Sequence, residues 1–142
     1  MRSLKLDELT IEQKVGQMLF ARMPRKEQHR RQALRLIREH SLGGLQLGPE
    51  QDASEFLAAA DYPLLVSDNM ESGYEGPGAT PLPCQQGIGA IGDEQAAFDW
   101  ARIAALDAKA VGRNTVFGPI LDVGMNPLSC CVGPRSFGSE PE

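Results

Sequence analysis

Residues 62–68 read "YPLLVSD". Leu64, Leu65 and Val66 make a short, near-continuous apolar run, fenced by Pro63 on one side and Asp68 on the other. A strand covered on both faces needs apolar side chains on both sides of its pleat, so this run predicts a buried parallel strand. The segments on either side fix the class. Towards the N-terminus, "SEFLAAA" (54–60) is a helix candidate with Ser54 as its N-cap, and "GGLQLG" (43–48) alternates like a short strand. Lys26 to His40 places Ala33, Leu34, Leu36 and Ile37 among charges, the pattern of an amphipathic helix. Gly43 and Gly44 punctuate its end, and Pro24 breaks the chain ahead of it. "LTIEQKVGQML" (9–19) opens with Thr10 and Gln13 in capping-box spacing. Ile11, Val15 and Met18 or Leu19 follow at helical intervals, and a first strand is expected near "QMLFAR" (17–22).

Towards the C-terminus, "NMESGYEGPGATPLPCQQGIGAIG" (69–92) predicts a long Gly- and Pro-rich loop. A helix is expected from Glu94 to Val111, led by Asp93 as N-cap. "NTVFGPILDV" (114–123) is the next strand, followed by the loop "GMNPLSCCVGPRSFGSEPE" (124–142). Helices alternate with short apolar strands, which predicts an α/β fold with a parallel sheet. A doubly wound sheet and a (β/α) barrel both remain open on this pattern. In either, ligands meet the C-terminal ends of the strands, where Asp68 and Asp122 are expected.

The 142 residues carry 14 basic and 19 acidic groups, a formal charge of −5. That balance argues against a nucleic-acid partner. The basic cluster in "RMPRKEQHRRQALRLIREH" (22–40) reads as the solvated face of a helix. No apolar run is long enough to span a bilayer and no secretory leader is evident, so a cytoplasmic protein is expected. Cys84, Cys130 and Cys131 are odd in number and lack metal-ligand spacing, so reduced thiols are expected. His29 and His40 belong to the basic helix, which leaves no credible Ser-His-Asp or Cys-His arrangement.

The chemistry-bearing candidates are therefore Asp68, Asp122 and Arg135. A carboxylate delivered by a buried strand into a Gly-rich loop suits hydrogen bonding to a hydroxylated ligand; it equally suits capping of the loop's own amides. Asp122, before "VGMNP", has the same two uses. Arg135 offers a guanidinium that forks onto hydroxyls or a carboxylate, either to hold a polar ligand or to pair with Asp68 or Asp122. Glu71 lies so near Asp68 in sequence that an opposed acid/base pair of the kind glycoside cleavage requires is not expected from these two. "GGLQLG" and "GIGAIG" are read as turns, because neither opens a helix directly after a strand with an acid further on.

Taken in order, "LTIEQKVGQML", "LGGLQL", "YPLLVSDNMESG", "AIGDEQAAFDWARIAALDAKAVGRNTVFGPILDV" and "RSFGSEPE" resemble the N-terminal part of the catalytic domain of glycoside hydrolase family 3, over nearly the whole chain. The resemblance implies the first half of a (β/α)8 TIM-type barrel, with residues 1–142 forming its N-terminal portion. It implies retaining hydrolysis of β-linked glucosides, xylosides or N-acetylhexosaminides, with no metal or organic cofactor. It implies that Asp68 and Arg135 bind the sugar in the cleaved subsite and that Asp122 supports them. Where many members read Asp-x-Glu-Gly-Gly, this chain reads Asp68-Asn69-Met70-Glu71-Ser72-Gly73, and "YEGPGATP" (74–81) lacks the Arg usual in the hexosaminidase branch.

In the family, a Lys-His pair, an acid loop and the Asp nucleophile come later, and a whole barrel takes about 250 residues. The expectation is then a truncated domain with no catalytic residue of its own, inactive alone, which would self-associate through an open sheet edge. Two other readings are a non-catalytic carbohydrate-binding or partner-completed fragment, and an unrelated doubly wound ligand-binding domain. A switch point in the strand order would mark the last.

Overall fold

A computed structural model describes residues 4–22, 26–126 and 128–140. Pro24, expected to break the chain, lies outside them. The chain divides into two compact units. Unit 1 comprises residues 1–68 and 111–115, and unit 2 comprises residues 69–110 and 116–142.

Helix α1 (Ile11–Gln17) starts as its sequence predicts. The Thr10 hydroxyl accepts the Gln13 N–H, and the Gln13 side chain accepts the Thr10 N–H. Strand β1 (Phe20–Arg22) follows, then α2 (Glu27–Arg38), which buries Ala33, Leu34 and Ile37. Its outer face is laced by charge pairs: Arg30 and Arg31 each reach Glu27 at 3.0 Å, and Arg30 also pairs with Glu55 of α3 (Ser54–Ala59).

Two expectations about helix ends change. Helix α2 is not closed by Gly43 and Gly44. His40 takes the left-handed position (φ 56°), with its N–H on the Ile37 carbonyl at 3.0 Å and the Ser41 N–H on the Leu36 carbonyl at 2.8 Å. These are the two bonds of a Schellman closure, built without glycine. Gly43 instead meets the end of α1: a Cβ there would lie 1.9 Å from the Gln17 carbonyl oxygen. Ser54 likewise is not the cap of α3. Its N–H and hydroxyl both donate to Asp52 Oδ1, at 2.9 and 2.7 Å.

Strands β2 (Gly44–Gln46) and β3 (Leu65–Asn69) complete the parallel run. β1 pairs with β2 and β2 with β3, in register Phe20↔Gly44 and Gly44↔Leu65. Within β3, Val66, Ser67 and Asp68 are buried but Leu65 is 46% exposed, so the strand is covered less evenly than its composition suggests. Leu45, Leu64 and Val66 pack with Ile37, Leu42 and Phe56 into one core. Fully burying each such side chain is worth about 1.5–3 kcal/mol. Among the described residues the sheet has four strands in the order β1-β2-β3-β4, with β4 at Thr115–Phe117. The order follows the chain without reversal, the arrangement of a barrel rather than of a doubly wound sheet with its switch point.

In unit 2, helix α5 (Glu94–Ala110) begins as expected, with Asp93 Oδ1 accepting the Gln95 N–H at 2.9 Å. The predicted loop over 69–92 is broken by a helix, α4 (Gln85–Ile91). "GIGAIG" is thus helical rather than a turn. Its Gly89 lies against the chain beyond Arg135: a Cβ there would sit 1.8 Å from the Phe137 carbonyl oxygen. Gly92, at φ 66°, closes α4. Unit 2 leaves Phe98, Leu121, Met125 and Leu128 well exposed. Among the described residues, no helix is long and apolar enough to cross a membrane.

Candidate functional site

Asp68 is delivered by β3 near the strand's C-terminal end and is 4% exposed. A carboxylate brought that deep is held in place by its surroundings, since burial of a charge is costly unless it is compensated. Asp122 is placed differently from expectation. β4 stops at Phe117, and Asp122 follows in an irregular segment with an exposed side chain. Pro119, which has no N–H to give a ladder, stands between them. What the structure fixes at residue 122 is the backbone. Ser136, buried, donates its hydroxyl to the Asp122 carbonyl at 2.7 Å and accepts the Gly138 N–H at 3.2 Å. The Gly124 N–H donates to the Gly138 carbonyl at 2.8 Å. The segments around residues 122–124 and 136–138 are therefore laced together and line a cleft of about 160 Å³.

Arg135 ends a single 3₁₀ turn, Gly133–Arg135. Its carboxylate partner is Glu71, a residue that sequence spacing did not mark for this role, and not Asp122. Nε and Nη2 both donate to Glu71 Oε1, Nε at 3.2 Å, and Nη1 donates to the Cys131 carbonyl at 3.1 Å. Glu71 is the shielded member, its side chain 13% exposed against 44% for Arg135.

Gln85, the first residue of α4 and fully buried, sets the backbone on which this pair stands. Its N–H donates to the Glu71 carbonyl at 3.2 Å, and its side-chain oxygen accepts the Ile120 N–H at 3.2 Å. The sequence signal for Glu71 was its place just past Asp68 in "SDNMESG"; for Gln85 there was none, because its helix was hidden in glycines. A larger cavity in unit 2, about 270 Å³, is apolar, lined by Met70, Trp100, Val116 and Phe137 among others, and includes neither Glu71 nor Arg135.

Chemically, unit 2 presents a half-exposed guanidinium whose direction is fixed and whose donors are only partly used. That suits hydrogen bonding to oxygen acceptors of a ligand.

Comparison with known proteins bears on the family. Residues 10–142 match the family described as glycosyl hydrolase family 3 N terminal domain. A beta-hexosaminidase of Xylella fastidiosa (strain M12) is 36% identical over 94 residues, 58% of this chain and 27% of that protein. The fold is similar to that of a glycoside hydrolase family 3 beta-N-acetylglucosaminidase from Paenibacillus sp. str. FPU-7, with a TM-score of 0.78 and 28% identity over 94% of this chain and 28% of that one. It is also similar to beta-glucoside phosphorylase BglX bound to 2FGlc, with a TM-score of 0.79 and 26% identity over 96% and 26% of the two chains. The chain thus spans under a third of the length of these relatives. With the match running over nearly all of its residues, the chain belongs to glycosyl hydrolase family 3, as an N-terminal domain.

Proposed function

We propose that this chain supplies part of the sugar-binding subsite of an enzyme that hydrolyses β-linked glycosides with retention of configuration, using no metal or organic cofactor. Asp68 and Arg135 are the residues assigned to the sugar. A sugar hydroxyl both donates and accepts: a carboxylate takes its proton, and a guanidinium gives one to its oxygen. Asp122 has a supporting role through its backbone, whose carbonyl is tied to Ser136, the neighbour of Arg135.

The observation that carries this reading is Arg135 itself. It is half-exposed, oriented by Glu71 and by the Cys131 carbonyl, and still has N–H groups to give. Family membership supplies the substrate class, and the relatives named above are a beta-hexosaminidase, a beta-N-acetylglucosaminidase and a beta-glucoside phosphorylase. The test is titration of the chain with methyl β-D-glucoside and with methyl N-acetyl-β-D-glucosaminide, followed by NMR, alongside Asp68→Ala and Arg135→Ala. Each variant is expected to weaken binding by about tenfold or more, the loss of a charge-assisted hydrogen bond. Unchanged affinity in both overturns the assignment.

A further inference from the structure

A lone guanidinium is a cation with five donors, and it takes carboxylates and phosphates in preference to neutral oxygens. Arg135 is not alone. Glu71 Oε1 receives Nε and Nη2, and the Cys131 carbonyl receives Nη1. Among the described residues, three of the five N–H groups are used, which leaves one on each terminal nitrogen. The negative partner is the shielded one and the guanidinium the one that meets solvent. Glu71 is also held from behind by the Gln85 N–H on its carbonyl. A ligand approaching Arg135 therefore meets two directed donors on a pair whose formal charge is zero.

We propose that Glu71 is a specificity-determining positioning residue. It aims two N–H groups of Arg135 outward and cancels the guanidinium's charge, so that the subsite selects neutral hydroxyl groups over anionic ones. The inference rests on Arg135 as a sugar contact and adds the reason that such a contact favours an uncharged sugar. A carboxylate or phosphate offered to the outer edge of the pair is attracted by Arg135 and repelled by Glu71 from only slightly farther away, so most of the net Coulomb gain disappears. A hydroxyl pays little for losing that attraction and keeps both hydrogen bonds.

Methyl β-D-glucoside and methyl β-D-glucuronide isolate the effect, because the second carries a carboxylate where the first carries a hydroxymethyl group. Both are titrated into the 142-residue chain and into Glu71→Gln, Glu71→Asp and Arg135→Ala. The unmodified chain is expected to prefer the glucoside. In Glu71→Gln, the ratio of affinities shifts towards the glucuronide by about tenfold, and the Arg135 Nε–H resonance moves as its carboxylate partner is lost. Glu71→Asp keeps the charge and the original preference.

An unchanged ratio in Glu71→Gln, with Arg135→Ala still weakening glucoside binding, overturns the role of Glu71 and leaves the sugar reading standing. Glucoside binding that is indifferent to Arg135→Ala overturns the sugar reading and this role with it. If Glu71→Gln does not fold, the salt dependence of glucuronide binding to the unmodified chain decides. A neutral pair predicts little change with ionic strength, and a steep decline overturns the proposal.

Discussion

Asn114 pairs with Val66 through its side chain as well as its backbone. The Val66 N–H donates to Asn114 Oδ1 at 2.8 Å, and the Asn114 N–H donates to the Val66 carbonyl at 2.9 Å. The same amide's Nδ2 donates to the Leu64 carbonyl at 2.9 Å. One residue thereby satisfies backbone groups that the start of β3 turns away from β2, and it does so ahead of the three residues of β4.

Asn114→Ala is accordingly expected to strand the Val66 N–H and the Leu64 carbonyl. Leaving such groups unsatisfied costs about 1–3 kcal/mol each. Unit 1 should lose about 2–4 kcal/mol, measured as a lower urea midpoint, and the Val66 amide should exchange faster with solvent. An unchanged Val66 exchange rate counts against this account.

Two glycines stand at close approaches of backbone to backbone. A Cβ at Gly43 would lie 1.9 Å from the Gln17 carbonyl oxygen, and one at Gly89 would lie 1.8 Å from that of Phe137. Neither obstacle is a flexible side-chain end, so Gly43→Ala and Gly89→Ala should each cost about 2–4 kcal/mol. Gly92→Ala, with open space but a φ of 66°, should cost only about 1 kcal/mol. Thermal unfolding of the three variants ranks them.

The capping box of α1 gives a milder and more local prediction. Thr10→Ala removes the acceptor for the Gln13 N–H and should cost about 1 kcal/mol. Gln13→Ala should cost as much or more. It loses the reciprocal bond to Thr10 and also the donation from Nε2 to the Glu39 carbonyl at 3.0 Å. Denaturant midpoints of the two single variants and the double variant check the coupling.

Tyr62 makes stability depend on pH on the alkaline side. Burial pushes its phenol above the ordinary 10.0, and its hydroxyl donates to the Leu42 carbonyl. Below the ordinary value both folded and unfolded chains hold the proton, and the contribution is whole. As pH rises past it, the unfolded chain ionises first, and stability falls until the folded phenol ionises too. Tyr62→Phe should lose about 1 kcal/mol at neutral pH and should show a shallower decline as pH rises past the ordinary phenol value of 10.0. Urea midpoints across that rise report the difference.

Much of unit 1 was legible because its signals are local. The apolar run before Asp68, the Thr10–Gln13 spacing and the charge-flanked Ala33, Leu34 and Ile37 each declare a neighbour within one turn or one pleat. Asp93 declared its helix in the same way. What escaped was set by partners remote in sequence. Gly87 and Gly89 argue against a helix by propensity, and only the nearness of the Phe137 carbonyl explains why glycine stands at 89. His40 closes α2 in a conformation usually left to glycine, while its ring nitrogen meets Asp61 at 2.8 Å and its ring meets Tyr62 edge-on. The reach of the last strand was overestimated because Val116, Phe117, Ile120 and Leu121 make "NTVFGPILDV" largely apolar, yet β4 ends before Pro119. The candidate residues were half visible: Asp68 stood out as a carboxylate at a strand end and Arg135 as a guanidinium in a loop, but nothing in spacing joins Glu71 to Arg135.

Unit 1 is closed by residues that arrive late. Arg113, buried, donates to the carbonyls of Gly48 and Gln51 at 2.9 and 2.7 Å, and Asn114 clasps β3, yet both follow the whole of α5 in the chain. On a ribosome, the first 68 residues emerge as a nascent unit that still lacks its clasp. They must wait for residues 69–110 to be synthesised before the edge of β3 is satisfied. That interval leaves β3 open to wrong partners during translation, so synonymous codon changes that slow elongation between Asp68 and Arg113 should lower the yield of folded protein without altering a single residue.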